Sequence, residues 1–133
     1  HVDDQGPAIR HDRPLPPLRA ADWDSNSLLC VPADAHRVYE IGFSGVTRAL
    51  GSTAANLIYV ARGSAVGALV RRVHIWDVAA GWAILERVGG AICYLDGSPV
   101  DWRDLADGRR TPQPMLAAHP DLIGPLRKEI RLK

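Results

Sequence analysis

The chain has 133 residues, 47% of them hydrophobic, with 16 Lys and Arg against 15 Asp and Glu, which suits one globular domain and excludes a low-complexity or collagen-like polymer. The near-cancellation of charge leaves no broad field to recruit nucleic acid or an anionic membrane, so neither is expected as a partner and any ligand has to be read from local features. No apolar run reaches the roughly 18 residues of a membrane span, and the polar, proline-rich start is not signal-like, so a soluble chain is expected.

Pro7, Pro14, Pro16 and Pro17 lie among charges in the first 23 residues, which favours turns and extended backbone over helix. Residues 1–26 are read as an irregular lead-in and residues 27–133 as the α/β domain. Leu28-Leu29-Cys30-Val31 is a short apolar run closed by Pro32, the pattern of a buried strand. Residues 33–39 have room for a turn or two of helix. Residues 45–50 predict a second strand, Gly51-Ser52-Thr53 a tight turn, and residues 54–62 a helix stopped by Gly63. The β-branched setting of residues 68–75 predicts a strand that includes Arg71 and Arg72.

Asp77 then opens a helix that runs to Val88, apolar at Val78, Ala79, Ala80, Trp82, Ala83, Ile84, Leu85 and Val88 and charged only at Glu86 and Arg87. A helix so apolar has to be covered on more than one side, and Trp76 and Trp82 are expected to pack it. Gly89-Gly90 ends it. Residues 91–95 predict a strand, Asp96-Gly97 a turn, residues 114–118 a further strand, and residues 120–132 a terminal helix with basic residues near its end. Strands and helices alternating over short connections predict an α/β fold, a largely parallel or mixed sheet layered with helices. Ligands in such folds gather where strands end and helices begin.

Cys30 and Cys93 each lie inside an apolar run with no metal-ligand or disulfide spacing, so both are expected as reduced thiols packed in strands, which fits a cytoplasmic setting. His36, His74 and His119 stand singly and suit structural or surface roles. Asp77, at a helix start, can cap free amides or hold a hard cation. Gly51, Ser52 and Thr53 can form an ordinary hydroxyl cap or contact a polyol or phosphate beside the helix amino end.

Trp76-Asp77-Val78-Ala79-Ala80-Gly81-Trp82, running on to Gly89-Gly90, resembles the carboxyl-terminal signature of the inositol monophosphatase family. Its flanks agree: residues 48–57 with 60–63 are similar to the family's strand, turn and helix before the signature, and residues 114–118 to its closing strand. The resemblance covers residues 27–133 and implies the carboxyl-terminal part of an αβαβα sandwich phosphatase. It implies a phosphoric monoester hydrolase that acts on a small phosphorylated substrate with metal-activated water. Asp77 would hold a catalytic Mg2+, and Gly51, Ser52 and Thr53 would contact substrate.

Thr53 stands where the family commonly has Ala. Val70 stands where inositol-cleaving members carry an acidic residue that binds a substrate hydroxyl, so the substrate stays open among inositol phosphates, sugar bisphosphates, histidinol phosphate and phosphoadenosine nucleotides. Arg71 and Arg72 are either contacts for an anionic substrate or solvated strand-end charges. The family's paired-carboxylate motif Asp-Pro-Ile-Asp-Gly-Thr and its upstream Glu-Glu pair have no counterpart; Asp96-Gly97-Ser98 is similar only to the tail of the former and reads as a turn. No catalytic residue is therefore expected in this chain.

The chain begins at His1, and its catalytic partner groups are expected from a missing amino-terminal half or from another chain, with the chain inactive by itself. The competing reading is a non-catalytic binding or assembly module that keeps the fold. An apolar face left by an absent half should make the chain a homo-oligomer.

Overall fold

The computed structural model describes residues 9–10, 13–19 and 23–133. Its centre is a five-stranded mixed sheet of order β5-β3-β6-β8-β7. β3 (Leu28–Cys30) pairs in parallel with β5 (Val46–Arg48) and with β6 (Gly67–Val70), whereas β8 (Met115–Ala118) is antiparallel to both β6 and β7 (Ala91–Tyr94). β6 and β8 are buried at every residue, as central strands covered on both faces should be. Successive side chains alternate between two cores. Cys30, Ala68, Val70, Met115 and Ala117 face one cluster with Leu57, Val60, Val78 and Leu85, and Leu29, Leu69, Leu116 and Ala118 face another with Leu122, Leu126 and Ile130.

The first cluster seats α2 (Thr53–Ala61) and α3 (Ile75–Arg87); the second seats α4 (Pro120–Lys128). α2 stops at Gly63, whose φ of +79° has open space around it, and α3 at Gly89, φ +86°. The short α1 (Ala35–Val38) leads into β4 (Tyr39–Ile41). The predicted α/β layering therefore holds, and most of the predicted elements lie within a residue or two of their expected positions.

Four expectations change. The strand predicted over residues 68–75 ends at Val70, because the backbone of Val73 is taken by Thr111 and His74 already caps α3. The terminal helix stops at Lys128, and Ile130–Leu132 is a strand, β9, antiparallel to β4. Tertiary pairing wins there because burying Ile130 and closing the ribbon outweigh a last helical turn. In the stretch read as irregular, Ile9–Arg10 (β1) and Arg13–Pro14 (β2) form an antiparallel pair; the remainder of residues 1–22 read as lead-in, apart from 15–19, lies outside the described residues. Finally, α3 buries only Val78, Gly81 and Leu85. Trp82 leans on Trp102 at 5.0 Å between ring centroids, but Ala79 and Ala80 are exposed and Trp76 is 64% exposed, so Trp76 does not pack the helix interior.

Among the described residues no helix is long and apolar enough to cross a membrane. Both cysteines are free and lie in strands. Three strand steps separate β3 from β7, about 14 Å at sheet spacing, beyond the roughly 7 Å a disulfide can bridge. Burial pushes the Cys30 thiol up to about 11, and it has no exposed surface. Alkylation of the folded chain at mildly alkaline pH should therefore spare Cys30 until denaturant is added, with peptide mass spectrometry reading the modified sites.

Candidate functional site

β5 and β6 both run out toward turns that start helices. After β5, Gly51 adopts φ +76° with nothing within 4 Å of where a Cβ would stand. Ser52 takes extended backbone as the N-cap of α2, and its Oγ accepts the Ala55 N–H at 3.2 Å. The cap reading of Ser52 is thus realised, while its own O–H remains able to donate. The other first-turn amides of α2 have no intrahelical acceptor, which makes this turn a natural seat for an anion.

Gly51, Ser52 and Thr53 line a cavity of ≈160 Å³ with Val31, Pro32, Asn56, Val70 and Arg71 among its other walls. The position where an acid was of interest, Val70, is 2% exposed and turns an aliphatic wall to this cavity. Asn56 was not singled out from the sequence. It is 6% exposed, and its Oδ1 is buried with no hydrogen-bond partner among the described residues. A buried amide oxygen without a donor costs on the order of 1–3 kcal/mol, so Asn56 is an acceptor waiting in the wall of the cavity.

Asp77 sits in the first turn of α3, exposed to solvent. Its Oδ2 accepts the His74 N–H at 3.2 Å, half of a capping box. The other carboxylate oxygen has no partner among the described residues. His74 is fixed from its far side: Nδ1 lies 2.8 Å from the Gly108 carbonyl, which can only accept, so Nδ1 carries the hydrogen. Its ring stacks on Trp76 at 4.4 Å and 8°. His74 and His119, which caps α4 by accepting the Asp121 N–H at 3.1 Å, both serve structure, as expected.

Gly81, one turn beyond Asp77, packs α3 onto Leu57, one turn beyond Thr53; a Cβ on Gly81 would stand 2.8 Å from the Leu57 Cβ. That crossing fixes the two helix starts relative to each other. The structure brings Gly51, Ser52 and Thr53 into one cavity, whereas Asp77 is not among the residues lining it. The link between them is the end of β6: Val70 and Arg71 line the cavity and lead through Val73 and His74 into α3.

The segment between β6 and α3 is clamped by Thr111, which is fully buried. The Thr111 N–H donates to the Val73 carbonyl at 2.9 Å, Thr111 Oγ1 accepts the Val73 N–H at 3.1 Å, and the Thr111 carbonyl accepts Arg72 Nε at 2.9 Å. Thr111→Val keeps the volume but strands the Val73 N–H, and should cost about 2 kcal/mol in chemical denaturation.

Asp96-Gly97-Ser98 is the turn it was read as. Asp96 Oδ1 accepts the Ser98 N–H and hydroxyl at 2.8 and 2.6 Å, and Gly97 has φ +93°. Those bonds, with one from Gln113, hold the Asp96 carboxyl down to about 2. Among the described residues no group of three or more His, Cys, Asp or Glu could hold a metal ion. Asp77 is a hard oxygen donor of the kind Mg2+ takes, and could hold such an ion only with further ligands beside it.

The sequence profile of the inositol monophosphatase family matches residues 23–129. A probable inositol 1-monophosphatase of Mycobacterium tuberculosis is 33% identical over 71% of this chain and 40% of its own length. Inositol monophosphatase 1 of Saccharomyces cerevisiae is 36% identical over 53% of this chain and 23% of its own. Inositol monophosphatase II of Staphylococcus aureus superposes with a TM-score of 0.77 at 24% identity, over 97% of this chain and 48% of that one, a likeness of fold. The chain thus spans about half or less of the length of the relatives it matches. With its mixed sheet, its helix starts and its matched residues in agreement, the chain belongs to the inositol monophosphatase family.

Proposed function

We propose that the chain forms one wall of a magnesium-dependent phosphatase that hydrolyses a small phosphate monoester. The observation that carries this reading is Asp77: an exposed carboxylate at the start of α3 with one oxygen bound to its own helix and the other free among the described residues. Mg2+ needs oxygen ligands in near-octahedral order, and when bound it neutralises phosphate charge and makes water more acidic. Asp77 supplies one such ligand, and the remaining carboxylates come from outside these residues, whether from a preceding segment or from another chain. Gly51, Ser52 and Thr53 orient the substrate with backbone and hydroxyl donors, and Asn56 Oδ1 accepts from a substrate hydroxyl.

The chain by itself is then inactive. Phosphatase assays against Mg2+ concentration should show no turnover for the 133-residue chain and turnover once a polypeptide that carries the family's paired-carboxylate and Glu-Glu segments is joined or added. Turnover by the isolated chain would overturn the shared site. The open face of α3 at Trp76, Ala79 and Ala80 favours a second reading, an assembly module; a monodisperse monomer in light scattering across the whole concentration range would defeat it.

A further inference from the structure

We infer that the substrate of this site carries a second anionic group, a phosphate or a carboxylate, held by Arg71, Arg72 and Arg110; the inference rests on the proposed phosphatase reading. Beside the Gly51–Thr53 cavity lies another of ≈330 Å³, lined by Arg71, Arg72 and Arg110 with Asp34 and Tyr39 among its other walls. Arg71 lines both cavities. Arg71 is thus common to the wall that carries Ser52 and Thr53 and to the wall that carries Arg72 and Arg110.

The basic cluster is built by the fold. Thr111 ties Arg72 and Val73 to the loop that carries Arg110, by the three hydrogen bonds given above. Arg109, the neighbour of Arg110, spends its guanidinium on Asp107 at 2.6 Å. Arg71 and Arg110 make no ion pair of that kind among the described residues, and only Asp34 among the lining residues opposes the three positive charges. Like charges held together in one concavity are relieved by an anion that several guanidinium donors can share, and planar donors suit phosphate and carboxylate oxygens. The opening near the shared residue presents no carboxylate: its polar groups are Ser52, Thr53, Asn56 and Arg71. A ligand bearing only hydroxyls gains nothing from the arginines; one bearing a second anion does. The net charge of +1 argues for a small anion over a nucleic acid.

Calorimetric titration of the chain at about 0.15 M salt, where long-range attraction is screened, tests this with three probes: a hexitol 6-phosphate, a hexitol 1,6-bisphosphate and a hexonate 6-phosphate. The bisphosphate, the hexonate or both should bind at least about tenfold more tightly than the monophosphate. Which of them does so decides between phosphate and carboxylate. Arg110→Gln, which is exposed and lines the second cavity but not the first, should reduce the preference by at least about threefold and leave monophosphate binding within about twofold. Arg103→Gln, an exposed charge that lines neither cavity, should leave the preference intact. Equal binding of all probes, no binding of any, or a preference that Arg110→Gln leaves whole overturns the inference. Failure of the phosphatase reading looks different: hydrolysis by the completed protein would be indifferent to Asp77→Asn while the binding preference stood.

Discussion

Asp77→Asn is expected to lower kcat/KM for a phosphate monoester by about a thousandfold in the polypeptide that completes the site, with the fold intact. A metal ligand contributes several kcal/mol of transition-state charge stabilisation, and about 4 kcal/mol is a factor of a thousand. Asparagine has the same shape, and its amide oxygen can still accept the His74 N–H that Asp77 Oδ2 now takes at 3.2 Å. The helix start therefore loses only its favourable negative charge, worth about 0.3–1 kcal/mol. The two roles of Asp77 thus separate in one variant. A cap alone predicts a slightly lower unfolding midpoint and ordinary turnover; a metal ligand predicts that small shift together with collapsed turnover and a raised Mg2+ requirement. Phosphatase activity that is unchanged in the variant would remove Asp77 from the site.

The contrast between Asp77 and its neighbours shows what the sequence carries and what it hides. The strand, turn and helix around Gly51 were legible because apolar runs, a glycine turn and a hydroxyl cap lie within a dozen residues of each other, and local patterns survive packing. Asp77 itself was legible through its signature, but its place was one turn deeper than expected: the cap is His74, which is a poor cap by preference and gives no start signal. The overextended strand at residues 71–75 and the missed strand at Ile130–Leu132 have one cause. Both are decided by distant partners, Thr111 in one case and β4 in the other, and periodicity cannot see them. Asn56 and Arg110 were hidden for the same reason. An asparagine in a helix reads as a solvent-facing side chain until burial leaves its oxygen without a partner among the described residues, and Arg110 means little until Thr111 sets it beside Arg71 and Arg72.

Gly81→Val is expected to destabilise the chain by about 3 kcal/mol, although valine is the better helix former by a few tenths of a kcal/mol. Gly81 has ordinary helical backbone, unlike Gly63 and Gly89, whose positive φ values of +79° and +86° make them backbone glycines with open space beside them. The reason for glycine at position 81 is contact. A Cβ there would meet both Cβ and Cδ1 of Leu57 at 2.8 Å, and Leu57 is fully buried between α2, α3 and the sheet. The Leu57 Cβ belongs to a helix backbone and cannot swing aside, so α3 has to lift off α2, at the typical cost of overpacking a core. The same lift would move the start of α3 away from that of α2, so Asp77 would leave its place relative to Ser52 and Thr53. A double-mutant cycle with Leu57→Ala isolates the contact: removing the leucine side chain frees Cδ1 but leaves Cβ, so the double variant should be more stable than the sum of the single losses by about 1 kcal/mol. Strict additivity in urea denaturation would show that the two helices do not meet at this pair, and would remove the crossing that holds the two helix starts together.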